Sequence, residues 1–574
     1  MGEPFLPEIM DLSGAAFVVE ALRANDIRSA FVYPGGTIAP VLDLLDGAGI
    51  TTVCTRHEQG AGYAALAVAR TRAAVQVVIV SSGPGVTNVV TAVADAYFDG
   101  VPLVILTGQV GTGDMRGTRP VRQRGFQEVD TVALMRPISK AQFQPQSPAD
   151  VPQIMADAFR IACEGRPGPV VVDLPMNVQR TVLTERPTMP TAAPLVEPAP
   201  SDDQVGEAVR LLLAAQRPLI LAGHGALVDA AFIPLRMLME QGRIPVTMSL
   251  LGLGAVDTTH PLALGFHGHT GNQTAGLAIQ SADVLLVVGS RLDLRQTGTV
   301  IDQFAPAARI IRIELDDAEL MHPRIASHLV LHGRARPVLD RLVGAVQGAS
   351  WPDRTAWLGE IAAWRAAHSL RVDTGDPLKP QHVVSTVNQI TRGREVICVS
   401  GVGSHQQWVA RHFDFDVPRR RWLTSGGHGA MGYDLPVALG AQHASPDTLV
   451  LCMVGDGSFQ MNIQELASLV AYDLPVKIVV LDNHRLGIVS QFQQLNWNRD
   501  PTCGDKWNPD FAAIARAYGL WADTVHTAAG LTAAVERLVE QPGPALLHCV
   551  VDPREDITPM LLAGQTLDAM WARP

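Results

Sequence analysis

Short, almost uninterrupted apolar runs recur along the whole chain, and most of them stop on Gly, Asp, Asn or Ser. They include "AVQVVIVSSG", "PLVILTGQ", "GPVVVDLP", "PLILAGHG", "DVLLVVGS", "ARIIRIEL", "EVICVSG", "TLVLCMVGDG" and "VKIVVLDN". Longer segments with helical periodicity separate them. A strand that is apolar at every position is covered on both faces, which is the condition of a parallel sheet sandwiched between helices. The alternation therefore predicts an α/β fold of doubly wound parallel sheets, with ligands collecting at the strand C-termini.

A chain of 574 residues, 47% of them hydrophobic, is long enough for several such cores. Two composition changes divide it. "ERPTMPTAAPLVEPAPSDD", from Glu185 to Asp203, is Pro- and Ala-rich without periodicity and has the character of a linker. Around Ala349 to Pro380 a Trp-containing, helical connector ends in "DTGDPLKPQ". Three α/β domains of comparable size are expected, over 1–186, 201–345 and 380–574.

The bulk properties remove several function classes. A net charge of −11 gives no general attraction to nucleic acid or to an anionic membrane. No apolar run approaches the roughly 18 residues that span a bilayer. The opening "MGEPFLPEIMDLSG" has acidic residues and no basic one, unlike a signal peptide. Cys54, Cys163, Cys398, Cys452, Cys503 and Cys549 show no CxxC spacing, so neither a zinc site nor a disulfide framework is indicated. The expectation is a soluble cytoplasmic protein.

Asp456 stands between Gly455 and Gly457, and Asn483 follows the next apolar run, 27 positions on. One helix and one strand lie between them. A right-handed strand-helix-strand unit returns both strand ends to the same sheet edge. Two hard oxygen ligands then sit side by side, a pairing that suits Mg²⁺ shared with phosphate oxygens. The flanking glycines let a diphosphate approach the backbone. Alone, the Gly-Asp-Gly triplet is equally a helix junction with Asp456 as its cap.

At this spacing the triplet, helix, strand and Asn resemble the cofactor signature of thiamine-diphosphate enzymes. The other half of that signature, "TRHEQGAGYAALAVAR", carries Glu58 at a helix start. Without its companion, Glu58 would be an ordinary acid favoured by the helix dipole. The likeness is closest to acetohydroxyacid (acetolactate) synthase catalytic subunits. It runs nearly end to end through "FVYPGGTIAPVLDLL", "SSGPGVTN", "GFQEVD", "RPGPVVVDLP", "GGHGAMGYDLPVALGA" and "LPVKIVVLDNHRLGIV". The resemblance implies a pyrimidine-binding first domain, a diphosphate-binding third domain, and a middle domain that holds FAD in the biosynthetic synthases. It also implies cofactor sites shared between two copies, hence a homodimer or homotetramer; a regulatory subunit stays open.

Carried over by position, the resemblance makes Glu58 the partner of the aminopyrimidine ring, promoting its imino tautomer. Asp456, Asn483 and the Arg485 carbonyl become metal ligands. His405, Gly429, Met431, Gly455, Gly457, Ser458 and Gly487 become cofactor contacts, with Met431 the apolar support of a folded cofactor. Gly36 and Gln127 lie beside the reacting carbon, and Phe126 and Lys140 join Gln127 in the substrate funnel. Arg295 grips the carboxylate of the second 2-oxo acid, and Phe492 faces that acceptor.

The acceptor side departs from the family pattern. Phe492 replaces a tryptophan that favours 2-oxobutyrate, and Leu294 stands where an acid is expected beside Arg295. "LPMN" (Leu174 to Asn177) replaces a Lys-Asp pair, and "GFHGHTG" (Gly265 to Gly271) replaces a more apolar turn and puts His267 and His269 near the second-substrate entrance that the resemblance implies. Gly401 and Ser404 replace an acid and a glutamine. The implied activity is decarboxylation of a 2-oxo acid, pyruvate foremost, and transfer of the acyl unit to a second carbonyl. A different acceptor, simple decarboxylation, diketone cleavage and FAD-linked oxidation remain the alternatives.

Overall fold

A computed structural model describes residues 12–188, 190, 197–499 and 507–572. Part of the Pro-rich linker, and Cys503, lie outside them. The chain forms three six-stranded sheets in which every strand pair is parallel. The first holds β1 (Ser29–Tyr33), β2 (Thr51–Cys54), β3 (Gln76–Val80), β4 (Leu103–Gln109), β5 (Ala141–Phe143) and β6 (Pro169–Pro175). The second holds β7 (Pro218–Ala222), β8 (Val246–Met248), β9 (Ala263–Phe266), β10 (Val284–Val288), β11 (Arg309–Glu314) and β12 (Leu329–His332). The third holds β13 (Val396–Val399), β14 (Arg420–Leu423), β15 (Leu449–Gly455), β16 (Lys477–Asp482), β17 (Trp521–Val525) and β18 (Ala545–Val550).

The apolar runs sit at the sheet centres, where helices cover both faces. β3, β4, β6, β7 and β10 are buried at every position. The first and third sheets share one topology, β2-β1-β3-β4-β6-β5 and β14-β13-β15-β16-β18-β17. The middle sheet runs β9-β8-β7-β10-β11-β12, the strand order of dinucleotide-binding domains, with its direction switching between β7 and β10.

The connector helix Thr355–Ala367 seals the middle domain: the buried Trp357 donates to the Pro218 carbonyl at 3.1 Å. The first and third domains pack through helix Glu58–Arg72 against helix Asp434–Ala444. Gly440 is required there, because a Cβ would collide with the Ala64 backbone. The Tyr63 and Tyr433 rings meet edge-on at 5.2 Å, and Arg70 donates to the Thr424 carbonyl at 2.7 Å and to the Tyr433 hydroxyl at 3.1 Å.

Candidate active site

At the C-terminal edge of the first sheet, hydrogen bonds tie three loops together. The Thr37 hydroxyl, after β1, bonds the Ser81 and Ser82 hydroxyls after β3 at 2.9 and 3.1 Å. Gly83, at φ +58°, opens helix Pro84–Asp99 and lies against Gln127, itself at φ +62°. A Cβ on Gly83 would stand 2.9 Å from that of Gln127. Glu58, the first residue of the helix after β2, is only 7% exposed. Its carboxylate accepts a 2.9 Å hydrogen bond from Asn88 Nδ2. Gly36, Gln127 and Glu58 thus gather on one edge. Phe126 stands beside them 84% exposed. Lys140 is held apart: its amine donates to the Glu164 carbonyl, and no hydrogen bond or ion pair joins it to Phe126 or Gln127. Burial lowers its pKa.

The third sheet builds the matching edge. β15 ends at Gly455, and a helix begins directly at Asp456. β16 ends on Asp482, one residue before Asn483. Asn508 Nδ2 lies 2.7 Å from both Asp456 Oδ2 and Asp482 Oδ1, so one amide holds the two carboxylates side by side. Burial, and then the Asp482 charge, push the pKa of Asp456 up. Burial acts on Asp482 too, but hydrogen bonds from His548 at 2.8 Å and from the His484 amide and ring keep its pKa low. Asn483 Oδ1 accepts from the Arg485 amide at 3.3 Å, while the Arg485 side chain turns away to the Pro553 carbonyl.

Glycines leave a cradle beside these oxygens. A Cβ on Gly457 would lie 2.7 Å from Leu486 and 3.4 Å from the Met431 methyl, and one on Gly455 would lie 2.8 Å from His405 Nδ1. Gly487 is similarly crowded by Ser404 and Asn483. The loop carrying Met431 is fixed by Ser425, whose hydroxyl accepts from the Gly429 and Ala430 amides at 3.0 and 3.1 Å. Beneath it, the buried Asp434 accepts from His405 Nε2 at 3.1 Å and from Ser458 Oγ at 2.5 Å. The sequence motifs assign no role to Asp434, Asp482 or Asn508, although "LDN" carries Asp482 in plain view.

Hard oxygens and a glycine cradle suit a diphosphate held through a small divalent cation. Among the described residues no group of three or more His, Cys, Asp or Glu is placed to hold a metal ion. Asp456 and Asn483 stand at the ends of adjacent strands and offer a carboxylate and an amide oxygen there. Within one chain no hydrogen bond or ion pair joins Glu58 to Met431, Asp456 or Asn483. Both edges carry exposed apolar side chains: Tyr33 and Phe126 on the first, Met461 and Phe492 on the third. Phe492 packs edge-on against Trp497 at 5.6 Å.

A cavity of about 180 Å³ lies where the three domains meet. It runs from the β7–β10 switch point, at Gly225 and Gly289, to Gln407, Gly426 and Gly427 of the third domain. Gly225 and Gly289 are in such close contact that a Cβ on Gly225 would lie 2.8 Å from Gly289 Cα. Arg295, His267 and His269 line the same cavity.

Comparison with known proteins shows the family. Residues 12–134 match the family model for the N-terminal TPP binding domain of thiamine pyrophosphate enzymes, 205–342 the central domain and 401–549 the C-terminal TPP binding domain. Acetolactate synthase isozyme 2 large subunit of Escherichia coli (strain K12) is 38% identical over 97% of this chain and 99% of its own length. The mitochondrial acetolactate synthase catalytic subunit of Saccharomyces cerevisiae is 36% identical over 97% of this chain and 83% of its own. A probable acetolactate synthase large subunit of Methanocaldococcus jannaschii is 36% identical over 97% and 94%.

Proposed function

The chain belongs to the acetolactate-synthase-like family of thiamine-diphosphate enzymes, and on that premise we propose that it decarboxylates pyruvate and joins the two-carbon unit to a second carbonyl compound. The observation that carries this reading is the paired construction of the two sheet edges. The same topology presents Gly36, Glu58 and Gln127 on one edge and Met431, Asp456 and Asn483 on the other. When bound, thiamine diphosphate supplies a thiazolium that stores the electron pair released by decarboxylation.

The chain's own groups divide the remaining work. Asp456, Asn483 and the Arg485 carbonyl hold Mg²⁺ against the diphosphate. His405 and Ser458 face the same groups, and Gly455, Gly457 and Gly487 leave the space. Gly429 keeps the loop clear, and Met431 would offer the cofactor an apolar support. Glu58 holds a proton at the aminopyrimidine ring. Gly36 keeps its side of the reacting centre open, Gln127 positions the first 2-oxo acid, and Phe126 borders its entrance. Arg295 receives the acceptor carboxylate, a task for which a guanidinium is suited, and Phe492 borders the acceptor's alkyl group.

Among the described residues no hydrogen bond or ion pair joins Glu58 to Asp456, and both edges end in exposed apolar side chains, so in this reading a second copy completes each site. The smallest active species in this reading is a homodimer. FAD occupies the middle domain: the strand order and the Gly225–Gly289 crevice suit a dinucleotide, and a flavin spectrum of the purified protein tests it. No described helix is long and apolar enough to cross a membrane, and the protein is assigned to the cytoplasm. The function itself is tested by incubating the protein with thiamine diphosphate, Mg²⁺ and labelled pyruvate and identifying the products. A 2-hydroxy-3-oxo acid supports the reading; acetaldehyde or acetate as the sole product refutes it.

A further inference from the structure

The turn after β9 carries two histidines in opposite circumstances. Both ring nitrogens of His267 are engaged, Nδ1 with the Thr247 hydroxyl at 3.3 Å and Nε2 with Gln296 Oε1 at 3.2 Å. Neither ring nitrogen of His269 has a hydrogen-bond partner among the described residues, and its Nδ1 is buried. The backbone that carries this second ring is held at both ends of the residue. The His269 amide donates to the Arg295 carbonyl at 2.6 Å, and its own carbonyl accepts from Leu561 at 2.7 Å. Gly268, at φ +104°, packs so tightly on Arg295 that a side chain there would strike the Arg295 carbonyl. The following residue, Thr270, is bonded to Gln407 on the helix that carries His405.

Two cations flank the ring. The Arg411 guanidinium donates to the carbonyls of Thr270, Thr558 and Pro559. The Arg295 guanidinium has no ion pair or hydrogen bond among the described residues. The nearest carboxylate on its own segment, Asp293, caps the Arg295 and Gln296 amides and pairs with Arg291. Burial, then Arg295 and Arg411, lower the pKa of His269 to about 4. Near neutral pH the ring is uncharged, with one N–H and one bare nitrogen, and His269 lines the cavity.

We propose that His269 and Arg295 form the subsite that selects the second substrate, and that this substrate is a 2-oxo acid whose side chain carries a hydroxyl or carbonyl oxygen. The carboxylate meets Arg295 and the side-chain oxygen meets His269. A purely alkyl acceptor would leave the imidazole without a hydrogen-bond partner, whereas an oxygen-bearing one would supply a partner. Sites built around such a group reject analogues that lack the matching oxygen far more strongly than apolar pockets reject a missing methylene. The proposal rests on the carboligase reading given above.

The test uses hydroxypyruvate and 2-oxobutyrate, which match in size and differ by a hydroxyl in place of a methyl. The holoenzyme is given excess labelled pyruvate with equal amounts of both acceptors, and the two products are measured by mass. Wild type is expected to favour the hydroxypyruvate product by about 10-fold or more, and His269→Leu to remove that preference. His269→Asn, which retains hydrogen-bonding capacity, should preserve much of it. Arg295→Gln should weaken use of both acids together and leave their ratio unchanged. A wild-type ratio near one, or a ratio unmoved in His269→Leu, overturns the proposal. Calorimetric titration of each acid without pyruvate separates this subsite from the reaction. Tighter binding of hydroxypyruvate that His269→Leu abolishes supports the subsite even if no carbon–carbon product forms, and equal binding of the two acids refutes it.

Discussion

Ser458 Oγ donates to Asp434 Oδ2, and this one bond fastens the turn at Asp456 to the start of helix Asp434–Ala444. The other oxygen of Asp434 accepts from His405 Nε2 and from the Gly401 amide, so a single buried carboxylate gathers three strand-end loops. Gly401 is required by that arrangement, since a Cβ there would lie 2.5 Å from Asp434 Oδ2.

Removing the carboxylate should therefore loosen the loops and the cofactor seat together. Asp434→Ala strands several buried donors and is expected to cost on the order of 3 kcal/mol of stability. It should also weaken thiamine-diphosphate binding. Asp434→Asn keeps an acceptor and should lose less. Chemical denaturation and cofactor titration of both variants check this, and an unchanged Asp434→Ala protein would contradict it.

In the proposed site, Asp456→Ala would remove one hard ligand and leave Asn483 and a carbonyl to hold Mg²⁺. Mg²⁺-dependent binding of thiamine diphosphate should weaken by about 100-fold or more. Calorimetry with and without Mg²⁺ measures it directly. Wild-type affinity in the variant would remove Asp456 from the anchor.

Phe492 offers a smaller apolar face than an indole, and it is half exposed on helix Gly487–Trp497. A methylene of differential contact is worth about 1–3 kcal/mol. Wild type should discriminate weakly between pyruvate and 2-oxobutyrate as acceptors, and Phe492→Trp should shift the product ratio toward 2-oxobutyrate. Strong native preference for 2-oxobutyrate, or no shift, would argue against this placement.

His412 gives a pH signature. Burial, then Arg411, lower its pKa to about 4 in the fold, against 6.5 for a free histidine. Between those values the unfolded chain binds the proton and the native one does not. Wild type should therefore lose stability relative to His412→Gln as pH falls from about 6.5 toward 4, by up to about 1.4 kcal/mol per pH unit, and show no such trend above that window. Unfolding titrations of the two proteins at several pH values decide it.

The central strands were legible because burial on both faces leaves no polar position, as in "VVIV" of β3 or "LLVV" of β10. The edge strands were not. β2 begins on two exposed threonines, and β17 is only half buried along most of its length, so neither shows a continuous apolar run. The glycine-flanked Asp456 and the helix-starting Glu58 were legible because their signals are local. Asn508 and Asp434 act on partners 52 and 24 positions away, Asp456 and Ser458 respectively, and no local pattern marks such pairs. The contrast between His267 and His269 also needs the fold, since one ring finds Thr247 and Gln296 and the other finds no hydrogen-bond partner among the described residues.

The most direct measurement of the account is hydrogen–deuterium exchange at C2 of bound thiamine diphosphate, compared in wild type and Glu58→Gln. A neutral amide cannot relay the proton, so exchange should slow by roughly 10²-fold or more while folding and cofactor binding persist. Exchange at the wild-type rate in Glu58→Gln, with the cofactor demonstrably bound, would contradict the role of Glu58 and the construction of the site from two sheet edges.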